Sequence, residues 1–380
     1  MASITKRPGG KYRARHRDPA GREHARHFTR KVDAQRWLDE VTASTVRGEY
    51  VDPKLGRITV GDWSARWLAS KANVKASTRD RYAGILSAHV EPAWGTVRLV
   101  DVTHAEIQSW VSTLSAARQS PASVHKIHRV LSMVLGLAVK DGRLPRNPAS
   151  GIGLPKATKA EKRYLRVEQV AQLADAAGPG RLVVLVLAYT GLRWGELAAL
   201  RVSRADLMRR RIYVAESVTE LNDGTLDWGL PKSHERRWVP VPRFLVDGLV
   251  EHITGKGPDE LVFTSPKGAV LRVRGARRSW FDRAVELAGI PEGFHPHELR
   301  HTAASLAVSA GANVKAVQRM LGHARASMTL DVYADLFDDD LVAVADRLDE
   351  IVRAADRGHP ADSLRTAEII PLPAKPVTAR

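Results

Sequence analysis

The stretch HPHELRHT, residues 295–302, contains the string HELRH from His297 to His301. This string formally matches H-E-x-x-H, in which two histidines one helical turn apart bind zinc. On a helix, Arg300 would share the face of His297, at about 60° from it, and a guanidinium that cannot lose its proton would repel a dication. Pro296 predicts that a helix starts here, so first-turn His297, Arg300 and free backbone N–H groups favour an anion such as phosphate. A zinc protease remains an alternative interpretation.

The composition favours a polyanionic partner. The 380 residues carry a formal net charge of +17, which suits nucleic acid or an anionic membrane surface. There is no cysteine, which excludes disulfides and Cys-ligated zinc and indicates a reducing compartment. The N-terminus lacks the apolar region of a signal peptide, and the longest apolar run, Leu182–Tyr189, is too short to span a membrane. We therefore expect a cytoplasmic, nucleic-acid-binding protein without a membrane partner.

The chain length and the changes of pattern along it predict a multidomain α+β protein. Residues 1–31 hold ten Lys and Arg against two acidic residues, and their alternation around Gly9-Gly10 predicts a small antiparallel sheet, followed by a helix from about Thr29. N-cap candidates precede four amphipathic stretches, at Thr59, Ser77, Thr103 and Ser120. The predicted divisions are 1–56, a helical bundle 57–148, a Pro- and Lys-containing linker 149–162, a mixed α/β region 163–355 and a tail 356–380.

Four further segments of the mixed region contain candidate site residues. Arg193 follows the turn at Thr190-Gly191, near the start of a helix on which Glu196 could hold it as a helical pair. The strands predicted at 210–218 and 236–242 would form a hairpin with Lys232 near its tip. His323 follows a predicted tight turn at Gly322, and Tyr333 lies on an amphipathic helix. Taken singly, each residue has an ordinary structural explanation.

Taken together and in this order, the motifs resemble those of the tyrosine recombinase (phage integrase) family. The resemblance rests on TGLRWGEL, PKSHERRWVP, HPHELRHT, LGH and TLDVYADL, which contain Arg193, Lys232, His297, Arg300, His323 and Tyr333. It implies an arm-type DNA-binding domain at 1–56, a helical core-binding domain at 57–148 and a catalytic domain at 163–355. Glu298 stands where many family members have Asp, which is a mild departure. HELRH would then be the family's H-x-x-R motif.

The resemblance implies a DNA phosphodiester that is broken and rejoined without a cofactor or metal. Tyr333 would be the nucleophile, His297 would assist its deprotonation, and Arg193 and Arg300 would hold the non-bridging oxygens. His323 would donate a further hydrogen bond, Lys232 would protonate the leaving 5′-oxygen, and Glu196 and Glu298 would support their neighbours. The implied partners are double-stranded DNA with core and arm sites, a homotetramer on paired sites, and in some members a DNA-bending host factor and an excision factor.

The basic residues expected to contact DNA lie in the N-terminal sheet, the helical region and the linker: Lys6, Arg7, Lys11, Arg13, Arg15, Arg17, Lys126, Arg129, Lys156 and Lys159. In the tail, the apolar AEIIPL segment either docks on a neighbouring subunit or is merely a disordered end. Two rival functions remain open besides the zinc protease. One is a DNA-binding protein on the same fold that does not cut, and the other is a type IB topoisomerase.

Overall fold

The computed structural model describes residues 2–17, 21–46, 55–157, 163–231 and 236–325, together with positions 327, 329–330, 346 and 348–353. The chain divides into two compact units, Met1–Glu161 with Thr219–Asp227, and Lys162–Val218 with Trp228–Arg380. Among the residues that the structure describes, no helix is long and apolar enough to cross a membrane.

A basic three-stranded sheet and one helix form the N-terminal part of the first unit. Strands β1 (Ser3–Lys6), β2 (Tyr12–Arg17) and β3 (Glu23–Phe28) pair antiparallel in that order, and helix α1 spans Lys31–Val46. Ala14 of the central strand packs with Ala34 and Leu38 of α1 in a small buried cluster. The predicted sheet and the helix that follows it are therefore confirmed.

Between residues 55 and 157 the first unit is mainly helical. Its helices are α2 (Val60–Ala69), α3 (Ala76–Ile85), α4 (Glu91–Trp94), α5 (His104–Ala116) and α6 (Pro121–Lys140), with a π-helical segment at Leu86–Val90. Thr59, Thr103 and Ser120 cap α2, α5 and α6 through their side chains, as predicted. The prediction for Ser77 is wrong, because α3 begins at Ala76 and its N-cap, Lys75, makes no side-chain cap.

The first part of the predicted linker is fastened to α5 and α6 by side chains. Gln108 exchanges two hydrogen bonds with Gly153, through Nε2 to the carbonyl at 3.0 Å and from the Gly153 N–H to Oε1 at 2.8 Å. The Nε2 atoms of His125 and His128 lie 2.8 and 3.0 Å from the carbonyl oxygens of Pro155 and Ala149. Residues 149–155 are therefore anchored along the helical region, which their Pro- and Gly-rich composition did not predict.

The second unit packs helices around a small sheet. Before the sheet come α7 (Val167–Ala176), α8 (Arg181–Thr190) and α9 (Trp194–Ala198). The strands of this sheet are β4 (Ala205–Asp206), β5 (Arg211–Val214) and β8 (Arg237–Pro240), while β6 (Ser217–Glu220) and β7 (Leu226–Gly229) form a second sheet, of which residues 219–227 are assigned to the first unit. After it come α10 (Val246–Ile253), α11 (Val273–Ala276), α12 (Asp282–Leu287), α13 (Glu298–Ser309) and α14 (Val314–Leu321), with a π-helical segment at Arg277–Phe281 between α11 and α12.

The strand pairing corrects the predicted hairpin. β5 does pair antiparallel with β8, with Val214 opposite Arg237, and β4 completes this sheet in the order β4-β5-β8. However, the two strands are not joined by a simple turn, because β6 and β7 form a separate two-stranded sheet between them in the sequence. Inward-facing Val239 and Val241 join the large buried cluster that α7, α8 and α13 also contribute to.

Candidate active site

Arg193 is placed by a turn that only glycine fits well. α8 ends at Thr190, and Gly191 follows it with a φ of 65°, in the left-handed region. A Cβ on Gly191 would lie 2.6 Å from the Leu321 side chain, so the turn also brings two segments into close approach. Arg193 is the extended N-cap residue of α9, as the sequence predicted.

Glu196 is a buried carboxylate that holds two arginines. It accepts hydrogen bonds from the backbone N–H and Nη1 of Arg193, at 3.0 and 2.8 Å, which confirms the predicted helical pair. Nη1 and Nη2 of Arg237 donate to its two oxygens, at 3.1 and 2.7 Å. Burial alone would raise the pKa of Glu196, but the hydrogen bonds and charge of Arg237, with the charge of Arg193, outweigh it and lower the pKa to about 2.

Arg300 on α13 joins the turns that carry two other predicted site residues. The side chain is buried, with 3% of the residue exposed. Its Nη1 donates to the carbonyl of Gly191 at 2.6 Å, and its Nη2 donates to the carbonyl of Leu321 at 2.5 Å. Gly191 stands two residues before Arg193, and Leu321 stands two residues before His323. The guanidinium therefore fixes the spacing between these two turns.

His297 is the N-cap residue of α13, so the predicted helix is present but begins at Glu298, after His297 rather than before it. Its ring centroid lies 5.6 Å from that of His301, in an edge-to-face arrangement. The residue as a whole is exposed, but neighbouring protein lies close enough to its ring to desolvate it in part. This desolvation, followed by the positive charge of Arg300, lowers the pKa of His297 to about 4. Glu298 accepts a hydrogen bond from the His295 N–H at 2.8 Å and so helps to shape the entry to the helix.

His323 leaves the end of α14 at a second glycine turn. Gly322 is the left-handed C-cap residue of that helix, with a φ of 64°, which confirms the predicted tight turn. The His323 N–H donates to the carbonyl of Gln318 at 3.1 Å, and Nδ1 of His323 lies 3.0 Å from the hydroxyl of buried Thr329. Desolvation, followed by the charges of Arg300 and Arg193, lowers the pKa of His323 to about 4.

Four of the six predicted catalytic residues thus come together in the second unit. Arg193 and Arg300 both lower the pKa values of His297 and His323 through their charge, so the four side chains share one electrostatic environment. The other two, Lys232 and Tyr333, lie outside the described residues. Within the described ranges, no group of three or more His, Asp and Glu side chains could hold a metal ion.

The basic residues predicted to contact DNA occupy exposed positions where the structure describes them. On β2, Arg15 and Arg17 are exposed while Ala14 and His16 are buried, so the arginines lie on the face of the sheet away from α1. Lys6, Arg7 and Lys11 near the β1–β2 turn, Lys126 and Arg129 on α6, and Lys156 are exposed as well, and Arg13 is half-buried. Lys159 lies outside the described residues.

Arg237 is the site residue that the sequence analysis missed. It is one of two adjacent arginines in PKSHERRWVP, and nothing in that pair alone distinguishes them. The alternation of inward-facing and outward-facing side chains along the strand could have distinguished Arg237 from Arg236. Val239 and Val241 are buried, Trp238 and Arg236 are exposed, and period-2 geometry puts residue 237 on the inward side with the valines.

Comparison with known proteins finds three matching families along the chain. The phage integrase family matches residues 163–339, the phage integrase N-terminal domain matches 2–47, and the phage integrase N-terminal SAM-like domain matches 59–115. The integrase of Mycobacterium phage L5 is 25% identical over 320 residues, covering 80% of this chain and 84% of the relative. A tyrosine recombinase XerC from Mycobacterium leprae is 28% identical over 276 residues, covering 69% of this chain and 89% of the relative.

Solved structures share the fold. The Tn1549 transposon integrase in complex with a circular intermediate DNA matches with a TM-score of 0.65 and 22% identity, covering 77% of this chain and 99% of that one. A lambda integrase tetramer bound to a Holliday junction matches with a TM-score of 0.57 and 20% identity, covering 85% and 95%. At these identities the likeness establishes the fold, and the chemistry rests on the residues themselves.

Proposed function

The chain belongs to the phage integrase family and is a site-specific tyrosine recombinase, and from that premise we propose which of its residues cleave and rejoin DNA. Tyr333 is the nucleophile in this proposal. The residues that act on the scissile phosphate around it are Arg193, Lys232, His297, Arg300 and His323. The recombination would insert or excise a mobile DNA element.

One observation carries this proposal: a single buried guanidinium, that of Arg300, bonds to both Gly191 and Leu321. These contacts hold Arg193 and His323 close to Arg300, although they are far apart in the sequence. A cluster of two arginines around histidines of lowered pKa has too much positive charge for a cation site. It suits a group on which negative charge develops during reaction, such as a phosphodiester.

The reaction needs no external energy source. The Tyr333 oxygen attacks the phosphorus, the bond from phosphorus to the 5′-oxygen breaks, and a 3′-phosphotyrosine results. The phenol proton goes to His297, and the leaving 5′-oxygen takes a proton from Lys232. Because the phosphodiester is kept as a tyrosyl ester, the 5′-hydroxyl of a second strand can reverse the step and rejoin the DNA.

The lowered histidine pKa values fix the charge state of both rings before DNA binds. At neutral pH both rings are uncharged in the free protein, so His297 has a lone pair that can take a proton, and the negative charge of a bound phosphate would raise its pKa from about 4 toward the range that a general base needs. If Nδ1 of His323 accepts the Thr329 hydroxyl, the ring proton is on Nε2, which can then donate to a phosphate oxygen. An unperturbed phenol has a pKa of about 10, so a nearby base and two guanidiniums are the expected means of activating it.

The DNA and protein partners follow from the charge distribution and the relatives. The exposed arginines of β2 would bind an arm-type site, while the helical region and the second unit would bind the core site. Since lambda integrase forms a tetramer on a Holliday junction, we expect four copies of this chain on paired sites. A DNA-bending host factor and an excision factor are further expected partners, and the bacterial chromosome in the cytoplasm is the expected place of action.

A nicked suicide substrate from the DNA flanking the gene tests the assignment. On a denaturing gel, the wild type should form a covalent protein–DNA adduct, and Tyr333→Phe should bind the DNA but form none. Arg300→Ala should lose most cleavage, while Glu298→Gln and added EDTA should leave substantial cleavage. An adduct in Tyr333→Phe, or its loss with EDTA, would contradict the proposal. A wild type that binds without any adduct would favour the non-cutting alternative.

A further inference from the structure

Arg237 contacts two parts of the proposed site at once, and no role has so far been given to it. We propose that Arg237 is a positioning residue for strand cleavage, which fixes Arg193 and the His323 turn relative to each other. This inference rests on the proposed function, because it assumes that Arg193 and His323 act on the scissile phosphate.

The first contact reaches Arg193 through Glu196. Glu196 accepts four hydrogen bonds, two from Arg193 and two from Arg237, and its side chain is fully buried. Arg237 donates with both Nη atoms, in the planar two-point geometry that a carboxylate matches best. With Arg237 present, the charge of Glu196 is shared by two guanidiniums. Arg193 therefore uses only Nη1 of its guanidinium for Glu196. The other N–H groups of that guanidinium are left for the phosphate.

The second contact reaches the His323 turn. The Nε atom of Arg237 donates to the carbonyl of Met320 at 3.0 Å. Gly322 lies directly against the same side chain, since a Cβ there would stand 2.9 Å from the Cδ, Nε and Nη1 atoms of Arg237. Nε and both Nη atoms of this guanidinium are thus used across two separate segments, and the left-handed turn before His323 rests on it.

A simpler role would be charge balance, in which any cation beside Glu196 would serve. The geometry argues for more, because only 9% of the Arg237 side chain is exposed and its guanidinium donates three hydrogen bonds to two partners, Glu196 and the Met320 carbonyl. A lysine would supply the charge, but it lacks the planar set of N–H donors that a guanidinium has. Without these donors, Arg193 becomes the main partner of Glu196 and is drawn toward it. The turn before His323 also loses its hydrogen bond from Arg237 to the Met320 carbonyl.

Single-turnover cleavage of the suicide substrate at saturating protein measures this effect. Arg237→Met should slow adduct formation by about 100-fold, as expected when a charge-stabilising donor is misplaced, and Arg237→Lys by about tenfold. DNA affinity, measured in a Tyr333→Phe background, should change by less than about threefold, since only 9% of the Arg237 side chain is exposed and its guanidinium is bonded to Glu196 and Met320. Arg211→Met is the matched control. Arg211 lies on the neighbouring strand β5, pairs with Asp206 at 3.0 Å and stacks on Trp238, but does not contact Glu196.

A methylphosphonate at the scissile position separates positioning from general destabilisation. One non-bridging oxygen becomes a methyl group, so less negative charge develops and less guanidinium stabilisation is needed. The defects of Arg193→Ala and of both Arg237 variants should then shrink by at least about tenfold relative to wild type. Arg237 variants that stay equally slow on both substrates, or that cleave the phosphate at the wild-type rate, would overturn the inference.

The same experiment distinguishes this inference from the proposed function. If Tyr333→Phe forms an adduct, or if Arg193→Ala is not rescued by the methylphosphonate, the assignment of the site fails and the inference fails with it. If Arg193→Ala is rescued and the Arg237 variants are not, only the role of Arg237 is refuted. Arg237→Lys keeps the positive charge beside Glu196, so it remains informative should Arg237→Met fail to fold.

Discussion

Replacing Glu196 with glutamine should strongly destabilise the second unit. A pKa lowered from 4.5 to about 2 corresponds to about 3 kcal/mol of folding free energy above about pH 5. Breaking a buried ion pair costs a similar amount, about 3–5 kcal/mol. For a unit of this size, 3 kcal/mol lowers the midpoint of thermal unfolding by about 6–12 °C. Calorimetry of the full chain at pH 7 should show this shift in the transition of the second unit.

The pH dependence identifies the cause of the shift. Because the folded-state pKa is depressed, the stabilisation is complete above the unfolded-state pKa and is lost as the pH falls through the folded-state value. The difference in stability between wild type and Glu196→Gln should therefore halve by about pH 3.

Glu286→Gln is the control for this prediction. Glu286 pairs with Arg283 at 2.7 Å, but both side chains are at least 65% exposed. Such an exposed pair contributes about 0.3 kcal/mol, so the midpoint should move by about 1 °C. A Glu196→Gln shift no larger than this, or one that stays constant between pH 7 and about pH 3, would refute the reasoning about a buried, doubly paired carboxylate.

Three further predictions concern other parts of the chain. Deleting residues 1–56 should leave footprints on core sites and remove those on a second class of site, and an unchanged set of footprints would contradict two-site binding. Ending the chain at Arg357 should weaken synapsis and cleavage with little change in single-site affinity, and normal recombination by this variant would show that the tail is dispensable. His297 and His323 should stay neutral down to about pH 5 in NMR titrations of the free protein, whereas a midpoint near 6.5 for either would contradict their lowered pKa values. The folded state should accordingly lose stability as the pH falls from about 6.5 toward 4.

Local signals in the sequence predicted local structure well. Thr59, Thr103 and Ser120 were recognised as N-caps because a capping side chain and its backbone partner lie within three residues of each other. The prediction that Ser77 is an N-cap was wrong for an equally local reason. The carbonyl of Lys75 accepts the first hydrogen bonds of α3, from the N–H groups of Thr78 and Arg79, so the helix starts earlier and takes Ser77 into its first turn.

Contacts between distant segments could not be read from the sequence. The pairing of β5 with β8 spans an inserted hairpin, and the sequence contains no short-range sign that the strands on either side of it meet. Strand alternation could have shown that Arg237 faces inward, but not what it contacts, since its partners Glu196 and Met320 lie 41 and 83 positions away. The motifs thus predicted four residues that the structure brings together, Arg193, His297, Arg300 and His323, while the side chain that connects two of them depended on tertiary structure.

The helix ends explain how the proposed phosphate site can form where four segments meet. A helix N-terminus attracts an anion and a helix C-terminus repels one, because unsatisfied N–H and C=O groups face outward there. Here the start of α13 at His297 lies close to the C-terminal turns of α8 and α14. The carbonyls of Gly191 and Leu321 would point negative charge toward a phosphate, but Arg300 binds both. One buried guanidinium therefore cancels the repulsive helix ends and adds positive charge beside the attractive one. The H-x-x-R spacing places His297 and Arg300 within a single helical turn of each other. A zinc site would not need an arginine in that position.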